Sequence, residues 1–187
     1  MQALLDEMAF DGDFGAKPVL VLSDRHGVPA LDRAASAGVA TQVVDWADHL
    51  DRDSFTAAVC DALEAAGAEA VVLAGFMRIL GPAVVERFPN RILNTHPALL
   101  PSFRGAHAVR EALTAGVKVT GVTIHFVDEE VDHGPIIAQQ VVPVYPHDTE
   151  EALHERIQVV EHMLYPDVVK ALAHGKLTVD EGHVTWQ

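Results

Sequence analysis

An amide and an imidazole stand two residues apart at Asn94 and His96, inside the stretch NTHPALLPSFRG that spans residues 94–105. The apolar run Arg91-Ile92-Leu93 precedes them, so both sit at the exit of a predicted strand. Side chains alternate along a strand, and these two therefore point to the same side. Pro97 biases His96 away from helical backbone, which keeps a helix from starting there and fixes the approach of the ring. A neutral amide beside a titratable ring suits a carbonyl whose oxygen becomes negative while a proton moves nearby. The same residues read equally well as a proline-rich strand-to-loop turn around a buried, hydrogen-bonded histidine.

Asp132 completes a physically sensible set. It lies in the acidic turn Asp128-Glu129-Glu130-Val131-Asp132-His133-Gly134-Pro135, between two apolar strands, with Gly134 and Pro135 fixing the backbone. The neighbouring acids are expected to raise its affinity for a proton. If this loop folds over the Asn94 loop, Asp132 can hold His96 protonated and pass protons through a water while Asn94 donates to a developing oxyanion. The reaction class is then acyl transfer without a covalent enzyme intermediate. Taken alone, the turn reads as a solvated hairpin. There is no G-x-S-x-G elbow, and Ser102, lodged between Pro101 and Phe103, has no evident base. None of the 11 histidines has H-E-x-x-H spacing, so no metal is expected.

The elements that must position these residues alternate between strand and helix. Residues 2–10 have a helical pattern ended by Gly12 and Gly15. Residues 18–23 form a continuous apolar run, as expected of a parallel strand covered on both faces. A helix over 29–37, a strand over 39–44, and a helix capped by Asp51 or Asp53 and ended by Gly67 follow. Residues 70–74 make another fully apolar strand, and Gly75-Phe76-Met77-Arg78-Ile79-Leu80-Gly81-Pro82 comes directly after it. In an open α/β sheet the loops at the carboxyl ends of strands form the ligand crevice, so this loop and the Asn94 loop should share one. Its aromatic, methionine and arginine could line a pocket for a flat, partly anionic molecule, or simply pack on the sheet. A helix is predicted over 106–115, then strands over 120–127 and 136–144 forming an antiparallel pair. Asp148 is read as the cap of a last helix whose buried stripe is Leu153, Ile157, Val160 and Leu164, with His154, Gln158 and Glu161 beside it and Pro166 bending or restarting it. This is a single α/β domain with a predominantly parallel sheet.

Composition narrows the function. With 187 residues and 49% of them hydrophobic, one domain can bury a substantial core. The formal charge of -14 and the lack of any cluster of Lys and Arg argue against nucleic-acid binding. Cys60 is the sole cysteine, which rules out an intrachain disulfide and fits an intracellular setting. Phe55, Val59 and Leu63 recur every four residues around it, so it reads as a packed helical thiol. No apolar run approaches a membrane span and no signal peptide is evident, so no membrane partner is expected and the cytoplasm is the simplest location.

Several of these segments together resemble the phosphoribosylglycinamide formyltransferases of purine biosynthesis. They are Phe76-Met77-Arg78-Ile79-Leu80; Asn94-x-His96-Pro97 with Leu99-Leu100-Pro101; Thr120-Gly121-Val122-Thr123 leading to His125-Phe126-Val127; Asp132-x-Gly134-Pro135-Ile136-Ile137; and Glu161-His162 with Tyr165-Pro166. They occur in family order over nearly the whole chain. The resemblance implies a doubly wound, mostly parallel sheet with helices on both faces and an antiparallel C-terminal strand pair. It also implies transfer of a formyl group from 10-formyltetrahydrofolate to glycinamide ribonucleotide, in a monomer or homodimer. It makes Asn94, His96 and Asp132 the catalytic trio, with His96 as the acid and Asp132 keeping it charged. By the same resemblance Arg52, Met77, Arg78, Ile79, Leu80, Asn94, Asp128, Glu129, Glu130, Val131 and Asp132 line the folate site, and Gln158 and Glu161 face the glycinamide substrate. The family begins with an apolar strand and a G-x-G-S-N loop that cradles phosphate, whereas this chain opens at Met1-Gln2-Ala3. The expectation is therefore an N-terminally truncated domain over residues 1–187. Other readings are a tRNA formyltransferase, a formyltetrahydrofolate hydrolase, or a folate-binding remnant without turnover.

Overall fold

In the computed structural model all 187 residues are described, and they group into two units, Met1–Ile92 and Leu93–Gln187. In the first, α1 (Gln2–Phe10) buries Leu4 and Leu5. The strands β1 (Val21–Ser23) and β2 (Thr41–Val43) form a parallel pair with Val21 opposite Thr41. Parallel neighbours need a crossover, which α2 (Pro29–Ser36) supplies. The next helix, α3 (Arg52–Ala65), starts on a capping box in which Asp51 accepts from the Ser54 N–H at 2.8 Å and the Ser54 hydroxyl accepts from the Asp51 N–H at 3.3 Å. It buries Phe55, Val59, Cys60 and Leu63, so the lone thiol is a core side chain. Then come β3 (Val71–Val72), α4 (Ala83–Arg87) and the start of β4 (Ile92–His96).

Two of these strands depart from expectation. The apolar runs at 18–23 and 70–74 contribute only Val21–Ser23 and Val71–Val72, and Val21, Leu22, Val71 and Val72 are half-buried rather than covered on both faces. The cause lies in the pairing. The sheet containing β1 and β2 has only those two strands, and β3 belongs to a different sheet in which β4 is its one neighbour. Each of β1 and β3 thus keeps an edge with no ladder partner to extend it.

The second unit carries α5 (Ala108–Ala115), β5 (Val119–Phe126), β6 (Ile136–Pro143), α6 (Glu150–Ala173) and the hairpin β7 (Leu177–Asp180) and β8 (His183–Trp186). Here β5 runs antiparallel to β4 on one side and to β6 on the other, giving the expected antiparallel C-terminal pair. Buried from Thr120 to Phe126, β5 is the central strand of this unit.

Helix α6 corrects two expectations and narrows a third. Its cap is Thr149, whose hydroxyl accepts from the Ala152 N–H at 3.2 Å, because the Asp148 carboxylate is already taken by the Tyr145 N–H and by both Arg156 nitrogens. It continues through Pro166, so of the two outcomes expected there, a bend or a restart, the restart is excluded. Leu153 and Ile157 are fully buried, but Val160 and Leu164 are only half so, and the stripe passes to Tyr165, Val168 and Val169. The terminal hairpin was not foreseen, and Trp186 ties it to β6 by donating to the Ile137 carbonyl at 3.1 Å. No helix is long and apolar enough to cross a membrane.

Candidate functional site

Strand register assembles the chemistry. In the antiparallel β4–β5 ladder Asn94 lies opposite His125 and His96 opposite Thr123, so the amide and both imidazoles occupy neighbouring positions across one pair of strands. The loop after β4 then crosses the turn between β5 and β6. The Gly105 N–H donates to Asp132 Oδ2 at 2.8 Å, and the same oxygen lies 3.2 Å from His96 Nδ1. On the other side of the ring, His96 Nε2 is 2.7 Å from the Phe103 carbonyl. Both ring nitrogens thus face oxygens that only accept, a carboxylate and a carbonyl. The two contacts are satisfied together when each nitrogen carries a hydrogen, that is, as imidazolium. The pair is nearly dry, with 4% of the His96 side chain and 11% of the Asp132 side chain exposed.

His125 is the member that reading the sequence missed as a site residue. Its Nδ1 lies 2.8 Å from the Phe126 carbonyl, and Nε2 is 3.2 Å from Asn94 Nδ2. The Phe126 carbonyl takes a hydrogen from Nδ1, which leaves Nε2 as the nitrogen that meets the Asn94 amide. The second Asn94 N–H points to Asp132 Oδ1 at 3.4 Å. His125 therefore decides which way the amide faces. The signal was present in the alternation of β5, which puts Thr123 and His125 on one face, but the partner across the ladder depends on a pairing 31 residues distant in sequence.

The Asp132 carboxyl differs from expectation in sign. Burial pushes its pKa up, but contact with His125, the Gly105 N–H and the positive charge of the imidazoles when protonated outweigh this, and it lies below the ordinary 3.8. The acidic neighbours do not raise it, because they turn elsewhere. Asp128 is paired with His133 at 2.7 Å and accepts from the Glu130 N–H at 3.0 Å, while Glu129, Glu130 and Val131 are exposed.

The remaining sequence-derived site residues fall into separate places. Glu161 on α6 accepts from the Thr95 hydroxyl at 2.9 Å. Thr95 alternates with Asn94 and His96, so Glu161 is tied to the other face of β4. Gln158 is exposed and meets only His154, at 3.4 Å, rather than Glu161. In the first unit, Arg52 opens α3, and the Thr56 hydroxyl one turn on accepts from the Gly81 N–H at 2.8 Å. That contact holds the loop of Met77, Arg78, Ile79 and Leu80 against the start of α3. Met77 and Ile79 stand 71% and 57% exposed, and the acidic neighbour of Arg52 is Asp53 at 3.8 Å. Arg78, by contrast, is already engaged by Asp24 at 2.9 Å and by the Trp46 ring at 4.8 Å.

Comparison with known proteins follows this geometry. Residues 1–169 match the family described as formyl transferase. A phosphoribosylglycinamide formyltransferase of Mycobacterium tuberculosis is 51% identical over 179 residues, covering 96% of this chain and 82% of that protein. The crystal structure of a glycinamide ribonucleotide transformylase from Symbiobacterium toebii superposes with a TM-score of 0.96 at 44% identity, covering 99% of this chain and 87% of that one. A formyltetrahydrofolate deformylase from Pseudomonas syringae gives a TM-score of 0.90 at 29% identity, over 98% of this chain and 60% of that one.

Proposed function

Because this chain belongs to the formyl transferase family, we propose that it transfers the formyl group of 10-formyltetrahydrofolate to the amine of 5-phosphoribosylglycinamide. The products are formylglycinamide ribonucleotide and tetrahydrofolate, and the step belongs to de novo purine synthesis in the cytoplasm. The observation that carries this reading is the likeness to the M. tuberculosis formyltransferase, which extends over nearly the whole chain. The contacts among Asn94, His96 and Asp132 support it chemically.

The formyl carbon exchanges one nitrogen for another, so one proton must pass from the attacking amine to the departing nitrogen. The co-substrate supplies an activated formyl group, and the chain's own residues supply the rest. The His96 imidazolium offers positive charge and an N–H to the carbonyl oxygen as it turns tetrahedral, and the Asn94 amide offers a second donor by turning from Asp132, its longer contact at 3.4 Å. The His96 side chain is 4% exposed, so its charge acts more strongly there than in water. Asp132 keeps His96 charged and, being ionised at neutral pH, can accept the amine's proton through a water. Exposed Met77 and Ile79 suit a flat ring system, and the loosely paired Arg52 suits an anionic tail.

An assay offering glycinamide ribonucleotide, water and charged tRNA as competing acceptors tests the proposal. Glycinamide ribonucleotide is expected to be formylated in preference to the others. Preferred release of formate would make the chain a deformylase, and preferred tRNA formylation would overturn the proposal as well.

A further inference from the structure

The loop after β4 touches the ion pair twice, with backbone groups of opposite polarity two residues apart. The Phe103 carbonyl accepts from His96 Nε2 at 2.7 Å, and the Gly105 N–H donates to Asp132 Oδ2 at 2.8 Å. Both residues hold positive φ, +56° at Phe103 and +94° at Gly105. For glycine this costs little, but a bulky phenylalanine in left-handed backbone is held there only by its surroundings. Asp132 itself has φ of +51°. Strained backbone is thus gathered on both sides of one ion pair.

We propose that Phe103 and Gly105 are positioning residues whose left-handed turn aims a carbonyl at His96 and an amide at Asp132, keeping the ring doubly protonated and the carboxyl ionised. The inference rests on the formyl-transfer reading for its consequence in rate, but not for its consequence in protonation. The groups facing the pair are Asn94 and Thr123 on β4 and β5, His125 on β5, and the loop itself; Asp128 and His133 are taken up with one another. A formyl oxygen would share the His96 donor with the Phe103 carbonyl in a three-centre bond.

The test compares two replacements that both remove the phenyl ring. Asparagine tolerates left-handed backbone and valine does not. F103N should keep kcat within about threefold of wild type, whereas F103V should lose about tenfold or more with KM for either substrate unchanged. In F103V the basic limb of the pH profile should move down, since the imidazolium loses an acceptor. G105A provides an independent arm, because a Cβ there meets no atom within 4 Å and acts through backbone strain alone. Its acid limb should move up, since Asp132 loses a donor. Ring 15N shifts of His96 are read in parallel on all three variants and on wild type. Wild type should keep both nitrogens protonated to a higher pH than F103V does. Equal behaviour of F103N and F103V, a faster F103V, or an unmoved acid limb in G105A would overturn the inference. Wild-type protein that shows the doubly protonated ring but no formyl transfer would count against the functional reading alone.

Discussion

At the scale of single residues, the deciding feature is that Asp132 serves several partners with one carboxylate. Oδ2 takes the Gly105 N–H and faces His96, and Oδ1 faces Asn94 and, at 3.7 Å, His125. Replacing Asp132 with Asn preserves shape while removing the charge, so His96 loses the anion that favours its charged form. We expect kcat to fall by about 10² or more, the scale of general acid–base effects. An unchanged rate in a folded variant would remove Asp132 from the mechanism. The same carboxylate also makes stability depend on pH with a definite sign. Its folded pKa lies below the ordinary 3.8, so its contribution is fully present above that value and is lost as pH falls through the lower folded one. The gap in urea stability between wild type and D132N should therefore be wider at neutral pH than near pH 3. A gap that stayed constant would mean that Asp132 is not preferentially ionised in the fold.

At the scale of elements, the turn from β5 to β6 is what delivers Asp132, and Gly134 closes it. A Cβ on Gly134 would lie 2.1 Å from the Phe126 carbonyl oxygen, which is backbone and cannot swing aside, while the Phe126 N–H is bonded to the Pro135 carbonyl at 2.9 Å. G134A should therefore push the turn off β5, costing about 1–3 kcal/mol in urea melts and lowering kcat as Asp132 shifts from His96. A variant destabilised to this degree but fully active would show that the turn can yield without moving Asp132. Elements also mark how much could be read from the sequence. Asn94 and His96 were legible because alternation within one strand is local, and the turn carrying Asp132 was legible because two apolar runs bracket it. His125 was not singled out, since its role comes from lying opposite Asn94 in a ladder between distant segments. Phe103 and Gly105 could not be found as contributors, because the groups they offer are a carbonyl and an N–H that nearly every residue possesses. The cap of α6 went to Thr149 rather than Asp148 because Arg156, two turns along the helix, claims the aspartate.

At the scale of the whole molecule, a chain of formal charge -14 must hold a phosphorylated substrate. Four of its arginines are engaged internally: Arg78 with Asp24, Arg87 with Asp61 and Glu64, Arg110 with Glu150, and Arg156 with Asp148. Backbone N–H groups in a glycine-rich loop hold phosphate without adding side-chain charge. The family resemblance implies such a loop, following an apolar strand. In the first unit β1 and β3 each carry one unpaired edge and half-buried valines. One added strand would satisfy the unpaired N–H and C=O groups of these edges, and a glycine-rich loop on it would offer backbone N–H groups to phosphate. Appending a strand and G-x-G-S-N loop ahead of Met1 should raise Tm by about 2–4 °C for each kcal/mol gained. It should also lower KM for glycinamide ribonucleotide by about tenfold or more, the value of one or two charge-assisted hydrogen bonds. Affinity for the folate co-substrate should stay the same, because Arg52 and the Met77–Leu80 loop are already held together without it. Equal melting temperatures for the two forms would refute the strand, and a raised Tm with unchanged KM would refute the phosphate role while leaving the strand in place.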